Sequence, residues 1–540
     1  MLVQLALALA TLVAVTEKLP LRSPKSVGMS AERLATISRV VRRGLDAGGY
    51  PGAAVVIGRR GAAVYEKGFG RLGWTKDAAE VDADRTIYDL ASLTKVVGTT
   101  TAAMILYDEN RLDLDAPVSR YLPTFTGGAK DLVTVRHLLT HRSGLPAGRE
   151  LWRMASSVDQ AKRIVLETPL ACQPGACYVY SDLGADVLGW VVEAIAGQRI
   201  DHFLAERVFG PLGMNDTFYN PPDSVRYRIA PTEVSPPRGY PIKGEVHDEN
   251  AFALGGVAGH AGLFSTAADL AVFAQMMLNG GSYDDVRIVS DSAVSLFTRR
   301  TAGTRALGWD TAEGQGGSGE YLTESAFGHT GYTGTSLWID PDREMFVVLL
   351  TNRVHAARAR RPAKVIADVR ADLADAAALS IEDMDQVLTM PASFRADRAD
   401  GWNPAVRRTR RSARSARSLR SKSSKRSKAV ASKSSRSSKR VSAAKAKSTS
   451  RSTVKSTSRS TVKSTSRSTV KSTVKSTRNS TVKSTSRASS NTTVKRSSST
   501  ARTSSAGAAS AKSKSSKAST SQSRSSKTSI PKSTSPTTRK

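Results

Sequence analysis

The chain reads as an α+β protein: an antiparallel sheet with helices packed on it, a helical lobe, and a long disordered tail. Three observations predict this. A helix and a hairpin open the body, two more strands and a helix close it, and the composition changes abruptly after residue 400.

From Leu2 to Val15 the chain is apolar except for Gln4 and Thr11, and the first charged side chain is Glu17, followed by Lys18. The run is shorter than the ~20 residues of a spanning helix. It fits the apolar region of a secretory signal over residues 1–16; a buried N-terminal helix or strand is the alternative. Residues 30–47 set Leu34, Ile37, Val41 and Leu45 at helical spacing behind Ser30, a good N-cap. AAVVIG (53–58) and AAVYEKG (62–68), joined by Arg59-Arg60, read as a hairpin. A long mixed region of helical pattern and Gly/Pro punctuation follows. SLWID (336–340) and MFVVLLTN (345–352) are strand-like around Pro341-Asp342, and 362–379 has an amphipathic helical pattern. The globular domain is therefore expected over 25–380, a linker over 381–404, and a disordered tail over 405–540.

The 540 residues carry a formal charge of +33. Of 80 Lys+Arg, 38 lie in residues 401–540, which hold no acid, so the first 400 residues keep 42 bases against 47 acids. The tail is nearly all Ser, Thr, Lys, Arg and Ala, with Trp402 its only aromatic. It has too little apolar area to offset the entropy of ordering. STVKSTSR recurs at 452–459, 460–467 and 480–487, a period that matches no solenoid. The tail is expected to bind polyanions (envelope polymers, anionic lipid or nucleic acid) non-specifically and with salt sensitivity. Base stacking is not expected, because the repeats hold no aromatics. A solvated tail with no fixed partner is the alternative. The expected location is outside the cytoplasm: periplasmic, cell-surface or secreted. There Cys172 and Cys177 have two readings, a small disulfide loop around Pro174-Gly175 or two reduced thiols.

The chemistry rests on three short segments. Ser92-Leu93-Thr94-Lys95 is an S-x-x-K. If Ser92 opens a helix, Lys95 lies one turn on, its ammonium beside the hydroxyl. A serine hydroxyl needs such help to act as a nucleophile. Alone the pattern is weak: the tail repeats it at Ser452, Ser460, Ser468, Ser472 and Ser480. Only Ser92 sits between an apolar stretch and a helix-like one. The second segment is Tyr180-Ser181-Asp182, and the third His329-Thr330-Gly331, where glycine permits close backbone approach.

In these three ordered motifs, with LLTHRSGLP (138–146) and LGGVAGHAGLFSTAADLAVFA (254–274), the chain resembles the serine β-lactamase and penicillin-binding-protein-like hydrolases. The branch is the class C-like one with tyrosine in the second motif, which includes D,D-carboxypeptidases, D-amino-acid peptidases and β-lactamase-like esterases. The resemblance implies a β-lactamase/D,D-peptidase-like fold. It also implies that Ser92 forms an acyl-enzyme, that Lys95 is base or electrostatic partner, and that Tyr180 is general base. The backbone N–H groups of Ser92 and Tyr332 would hold the oxyanion. Asp182, His329, Thr330 and Gly331 would bind or support substrate. No cofactor or metal is implied. Asp182 stands where many relatives have Asn, and an acid there would hold Lys95 charged. His329 stands where class C β-lactamases have Lys, which gives less fixed charge for a β-lactam carboxylate. Both turn the expectation from a dedicated β-lactamase toward an esterase or D-peptide hydrolase acting on a small ester, amide or D-peptide. A D,D-carboxypeptidase or β-lactamase is the nearest alternative, and a non-catalytic polyanion binder on a degenerate scaffold is the alternative of another class.

Other histidines have plainer readings. His137 and His141 are four apart, but no Glu follows His137, so the pair lacks the metalloprotease pattern. His247-Asp248-Glu249-Asn250 reads as a loop supporting the cleft, and His260 as a packed loop residue. No G-x-S-x-G occurs, which argues against an α/β-hydrolase.

Overall fold

A computed structural model describes residues 18–402 apart from 236–237, 302, 313–315, 356–361 and 385–387. The expected signal segment (1–16) and tail (405–540) lie outside the described residues.

Helix α1 (Ala31–Asp46) buries Leu34, Ile37, Val40 and Val41 on one face, with Ser30 accepting the Arg33 N–H. Strands β1 (Gly52–Arg59) and β2 (Ala62–Gly70) form the expected hairpin. Its turn residues Arg60 and Gly61 both have positive φ, 50° and 76°, as a two-residue turn matched to strand twist requires. The chain then leaves this sheet through β3 (Tyr88–Asp89) and α2 (Thr101–Asp108). The helical lobe adds α3 (Val135–Leu139), α4 (Leu151–Met154), α5 (Val158–Glu167), α6 (Asp182–Ala196) and α7 (Ile200–Leu204). Next come β4 (Phe218–Tyr219), α8 (Glu249–Ala253), β5 (Leu263–Ser265) and α9 (Ala267–Leu278). A short hairpin of β6 (Ser282–Tyr283) and β7 (Val286–Arg287) leads to α10 (Asp291–Thr298). The body closes with β8 (Asp310–Thr311), β9 (Phe327–Thr330), β10 (Ser336–Asp340), β11 (Met345–Thr351), α11 (Ala363–Ala378) and the single turn α12 (Arg395–Arg398).

The main sheet has six strands in the order β2-β1-β11-β10-β9-β8, all pairs antiparallel. Alternate residues feed two cores, as the period of two demands. Ala53, Val55, Ile57, Val347 and Leu349 face α1 and α11. Ala54, Val56, Phe346, Val348 and Leu350 join the larger core shared with α9 and the helical lobe. With both faces covered, β1 and β11 are buried throughout, which is why they read as unbroken apolar runs.

One expected boundary moves. The stretch 381–404 was expected to be a linker, yet its described residues pack on α11. Phe394 and Trp402 are buried, and the Trp402 indole N–H donates to Asp368 at 2.7 Å. Arg395 spans Asp372 and Asp375 at 3.0 and 2.6 Å. Two aromatics in polar surroundings are enough to anchor the stretch. Cys172 and Cys177 are joined in a disulfide.

Candidate active site

Strand β3 pairs with β5, and the backbone then turns sharply. Ala91 has φ 48°, a left-handed conformation for a residue with a Cβ, which costs about 1–2 kcal/mol. The buried Asp89 carboxylate holds the turn: it accepts the Ala91 N–H at 2.8 Å and the His247 N–H at 2.6 Å. Ser92 follows, half-buried, in a short 3₁₀ turn, and Lys95 begins a wide helical segment, Lys95–Thr100, that runs into α2. The ordinary α-helix expected from Ser92 onward is thus replaced by tighter and wider turns, but the hydroxyl and ammonium still meet. Lys95 Nζ donates to Ser92 Oγ at 3.0 Å and to the His260 carbonyl at 3.0 Å, and it pairs with Asp182 Oδ1 at 2.7 Å. An ammonium has three N–H donors, and all three have partners. Burial pushes this lysine toward the neutral amine; the Asp182 carboxylate and Tyr180 outweigh burial and hold its pKa above the ordinary value.

Tyr180 lies just before α6. Ser181 caps that helix, accepting the Gly184 N–H at 3.0 Å, and gives its own N–H to His141 Nδ1 at 3.1 Å. The Tyr180 ring packs on His141, with centroids 4.6 Å apart, and on His329 at 5.9 Å. Two cations stand near it: Lys95 Nζ 5.0 Å and Arg305 Cζ 5.3 Å from its centroid. Burial pushes the His141 pKa well down, and Arg305 and Lys95 add to this, so the ring is neutral.

The third motif ends β9. Burial likewise drives the His329 pKa well down, with Arg305 and Lys95 nearby. Its Nδ1 faces the Thr330 carbonyl at 2.9 Å, and its Nε2 is 3.9 Å from Asp310. The loop after it is strapped to the Ser92 turn: Thr333 Oγ1 donates to the Asp89 carbonyl at 2.8 Å and Thr335 Oγ1 to the Leu90 carbonyl at 2.9 Å. A Cβ on Gly331 would overlap that Leu90 carbonyl, so glycine is required for this approach. Tyr332 is thereby held beside the Ser92 turn. Its ring is half exposed, stacked on His247 with centroids 5.9 Å apart.

All the sequence-predicted site residues fall in these three segments, which meet around Lys95 and Tyr180. Sequence reasoning missed Arg305 and the packing role of His141. Arg305 is buried, pairs with Asp310 at 2.9 Å and donates to the Tyr178 hydroxyl at 3.0 Å. It belongs to no short motif and reaches Tyr180 only through the fold. His137 instead closes a capping box on α3, accepting the Thr134 N–H at 3.2 Å.

A family model described as Beta-lactamase matches residues 37–371. A protein of Escherichia coli O157:H7 that carries the name D-alanyl-D-alanine carboxypeptidase is 35% identical over 371 residues, covering 62% of this chain and 85% of that relative. A solved penicillin-binding protein homologue from Caulobacter crescentus superposes with a TM-score of 0.53 at 22% identity, covering 65% of this chain and 99% of the other. EstCE1, described as a hydrolase with promiscuous acyltransferase activity, superposes with a TM-score of 0.51 at 24% identity, covering 64% and 99%. At those identities the two structures share the fold.

Proposed function

The chain belongs to the beta-lactamase family and is a serine hydrolase, and on that premise we propose that Ser92 is its nucleophile, Lys95 a charged electrostatic partner, and Tyr180 the general base. The observation that carries this reading is the Lys95 ammonium, shared between Ser92 Oγ and the Asp182 carboxylate at 3.0 and 2.7 Å. A lysine so paired stabilises negative charge on Oγ but is a poor proton acceptor. As Oγ bonds to the substrate carbonyl carbon, its proton passes to the Tyr180 oxygen, which acts as a phenolate beside the Lys95 and Arg305 cations and becomes the neutral phenol. The carbonyl oxygen, now negative, is held by the backbone N–H groups of Ser92 and Tyr332, and losing one such donor costs ~3 kcal/mol of barrier. Collapse expels the alcohol or amine, which takes the proton from Tyr180. Water then attacks the acyl-enzyme with the same groups in the same roles.

We propose a D-peptide or an ester as substrate. The name of the Escherichia coli relative supports a peptide ending in D-alanyl-D-alanine as the first to test. A neutral His329 supplies no fixed charge for a substrate carboxylate, which favours an ester without one over a penicillin. We further propose that the enzyme is exported and that residues 405–540 retain it on anionic polymers.

The test is intact-mass analysis with a serine-reactive phosphonate, and in parallel with a penicillin, on wild type and Ser92→Ala. The expected result is a phosphonate adduct on wild type only. No adduct on wild type with either probe would sink the assignment of Ser92.

A further inference from the structure

Behind Lys95 lies a buried charge cluster that the proposed mechanism does not use. His260 is 2% exposed. Its Nδ1 stands 2.6 Å from Asp186 Oδ1 and its Nε2 3.0 Å from Asp248 Oδ1. A neutral imidazole carries one N–H and cannot donate to both sides. Burial pushes the Asp186 carboxyl toward its acid form, but the same Asp186 Oδ1 also accepts the His260 backbone N–H at 3.3 Å, and Asp248 Oδ1 accepts the Asn250 and Ala251 N–H groups. Both facing oxygens are thus acceptors, and they call for a proton on each ring nitrogen, which is the imidazolium.

The position of this cation links the parts of the site. Asp186 is one helical turn beyond Asp182 on α6, so a single helix holds Lys95 through Asp182 and His260 through Asp186. The carbonyl of His260 itself accepts from Lys95 Nζ. Neighbouring Gly259 lies so close to α6 that a Cβ would overlap the Ala185 carbonyl, and its own carbonyl accepts from Thr99 Oγ1 at 2.7 Å. On the other side, Asp248 caps α8 through the N–H groups of Asn250 and Ala251. The residue before it, His247, stacks on Tyr332 and donates its N–H to Asp89, which holds the Ser92 turn.

We propose that His260 is a positioning residue: a buried imidazolium, clamped between Asp186 and Asp248, that fixes the carbonyl holding Lys95 and ties α6 to the segment behind Tyr332 and Ser92. This rests on the roles given above to Ser92 and Lys95. The charged and titratable groups around the ring are Asp182 and Asp186 from α6, Asp248 and His247 from the start of α8, and Lys95 from its helical segment. Burial pushes the His260 pKa down, but Asp186 and Asp248 outweigh burial and raise it well above the ordinary value. The clamp is therefore present at neutral pH and lost as pH rises through that raised value.

Removing the ring, as in His260→Asn, would leave the buried Asp186 carboxylate facing the half-buried Asp248 carboxylate and would endanger the fold. The decisive variant is Asp248→Asn, which keeps an oxygen acceptor for the α8 cap and for His260 Nε2 and removes only the charge. Asp186→Asn is the second variant. With one carboxylate gone the imidazolium loses its proton at lower pH. Both variants should shift the alkaline limb of kcat to lower pH by at least about one unit. Above that limb kcat should fall ~10-fold per pH unit, while KM stays within about twofold. A merely structural role would lower the amount of folded enzyme without moving the limb. Wild-type phosphonate labelling at Ser92 is measured in the same preparation. Labelled wild type with unchanged pH profiles in both variants overturns this inference alone. Absence of labelling overturns the assignment of Ser92, and this inference with it.

Discussion

Asp182→Asn is the substitution that separates the two possible roles of Lys95. It removes a carboxylate 2.7 Å from a lysine whose side chain is 4% exposed and leaves a neutral oxygen in its place. At an effective dielectric of ~20, a unit pair at that distance attracts by roughly 6 kcal/mol. The Asp182 side chain is 33% exposed, so solvent screens part of this. The asparagine oxygen also keeps the hydrogen bond. What remains is a fall in the Lys95 pKa of about 1–3 units, as expected for losing one close opposite charge, or ~1.4–4 kcal/mol. The sign follows from burial, which by itself favours the neutral amine. Lys95 is charged below its pKa in both forms, so the variant loses the charge at lower pH than wild type does. The assay is kcat/KM for a small soluble ester from pH 6 upward. If the charged form works, activity near neutrality stays within a few-fold of wild type. If Lys95 instead acts as a free base, the variant gains free amine, and activity near neutrality rises about tenfold or more. That rise would refute the charged-partner assignment.

Three other outcomes test the body and the tail. Trp402→Ala should destabilise the domain by ~3 kcal/mol, since it removes a buried aromatic and leaves Asp368 without its indole donor. Deleting residues 405–540 should leave both the melting temperature and ester turnover nearly unchanged while abolishing salt-sensitive polyanion binding, read by thermal melts and a heparin column at graded salt. The Cys172–Cys177 bridge closes a loop with a sequence separation of 5, and short-loop closure is worth ~2 kcal/mol. Melts of Cys172→Ser/Cys177→Ser against wild type should show a fall of that size, and an equal Tm would refute it.

Much of the fold was legible because local pattern and tertiary role agree. The expected helix at 30–47 and hairpin at 53–68 appear as Ala31–Asp46 and Gly52–Gly70. The late strands and closing helix keep their bounds within a residue, because covered strands read as apolar runs and α11 as an amphipathic stripe. The three motifs were legible because each keeps its chemistry within a few consecutive residues. Arg305 and Asp186 were not. Each is an ordinary charged residue in sequence, and each acquires meaning from a partner far along the chain, Asp186 from His260 and Arg305 from Tyr180. Asp248 was legible only as part of a loop supporting the cleft, without its pairing to His260. The packed stretch from 381 to 402 was hidden for a related reason: its composition is polar, and two aromatics decide its fate. Ala91 shows the converse limit, since nothing in its identity signals a positive φ; buried Asp89 imposes it.

The pairing of β1 with β11 has a consequence for the order of assembly. Ala53 lies opposite Thr351, roughly 300 residues apart along the chain, and β1 has no other neighbour than β2 until that partner exists. A nascent chain can form the hairpin and compact the helical lobe early, but the sheet stays open until its last long strand has been synthesised. Pairings so remote are slow to form, because the loop entropy is spent before the contact is made. The apolar run of β1 lacks its β11 partner for that whole interval, which makes this the aggregation-prone stage of the chain's life. It ends only when α11 and the Phe394–Trp402 anchor dock over α1, so the final segment of the body works as the fastener of a lobe begun at the opposite end.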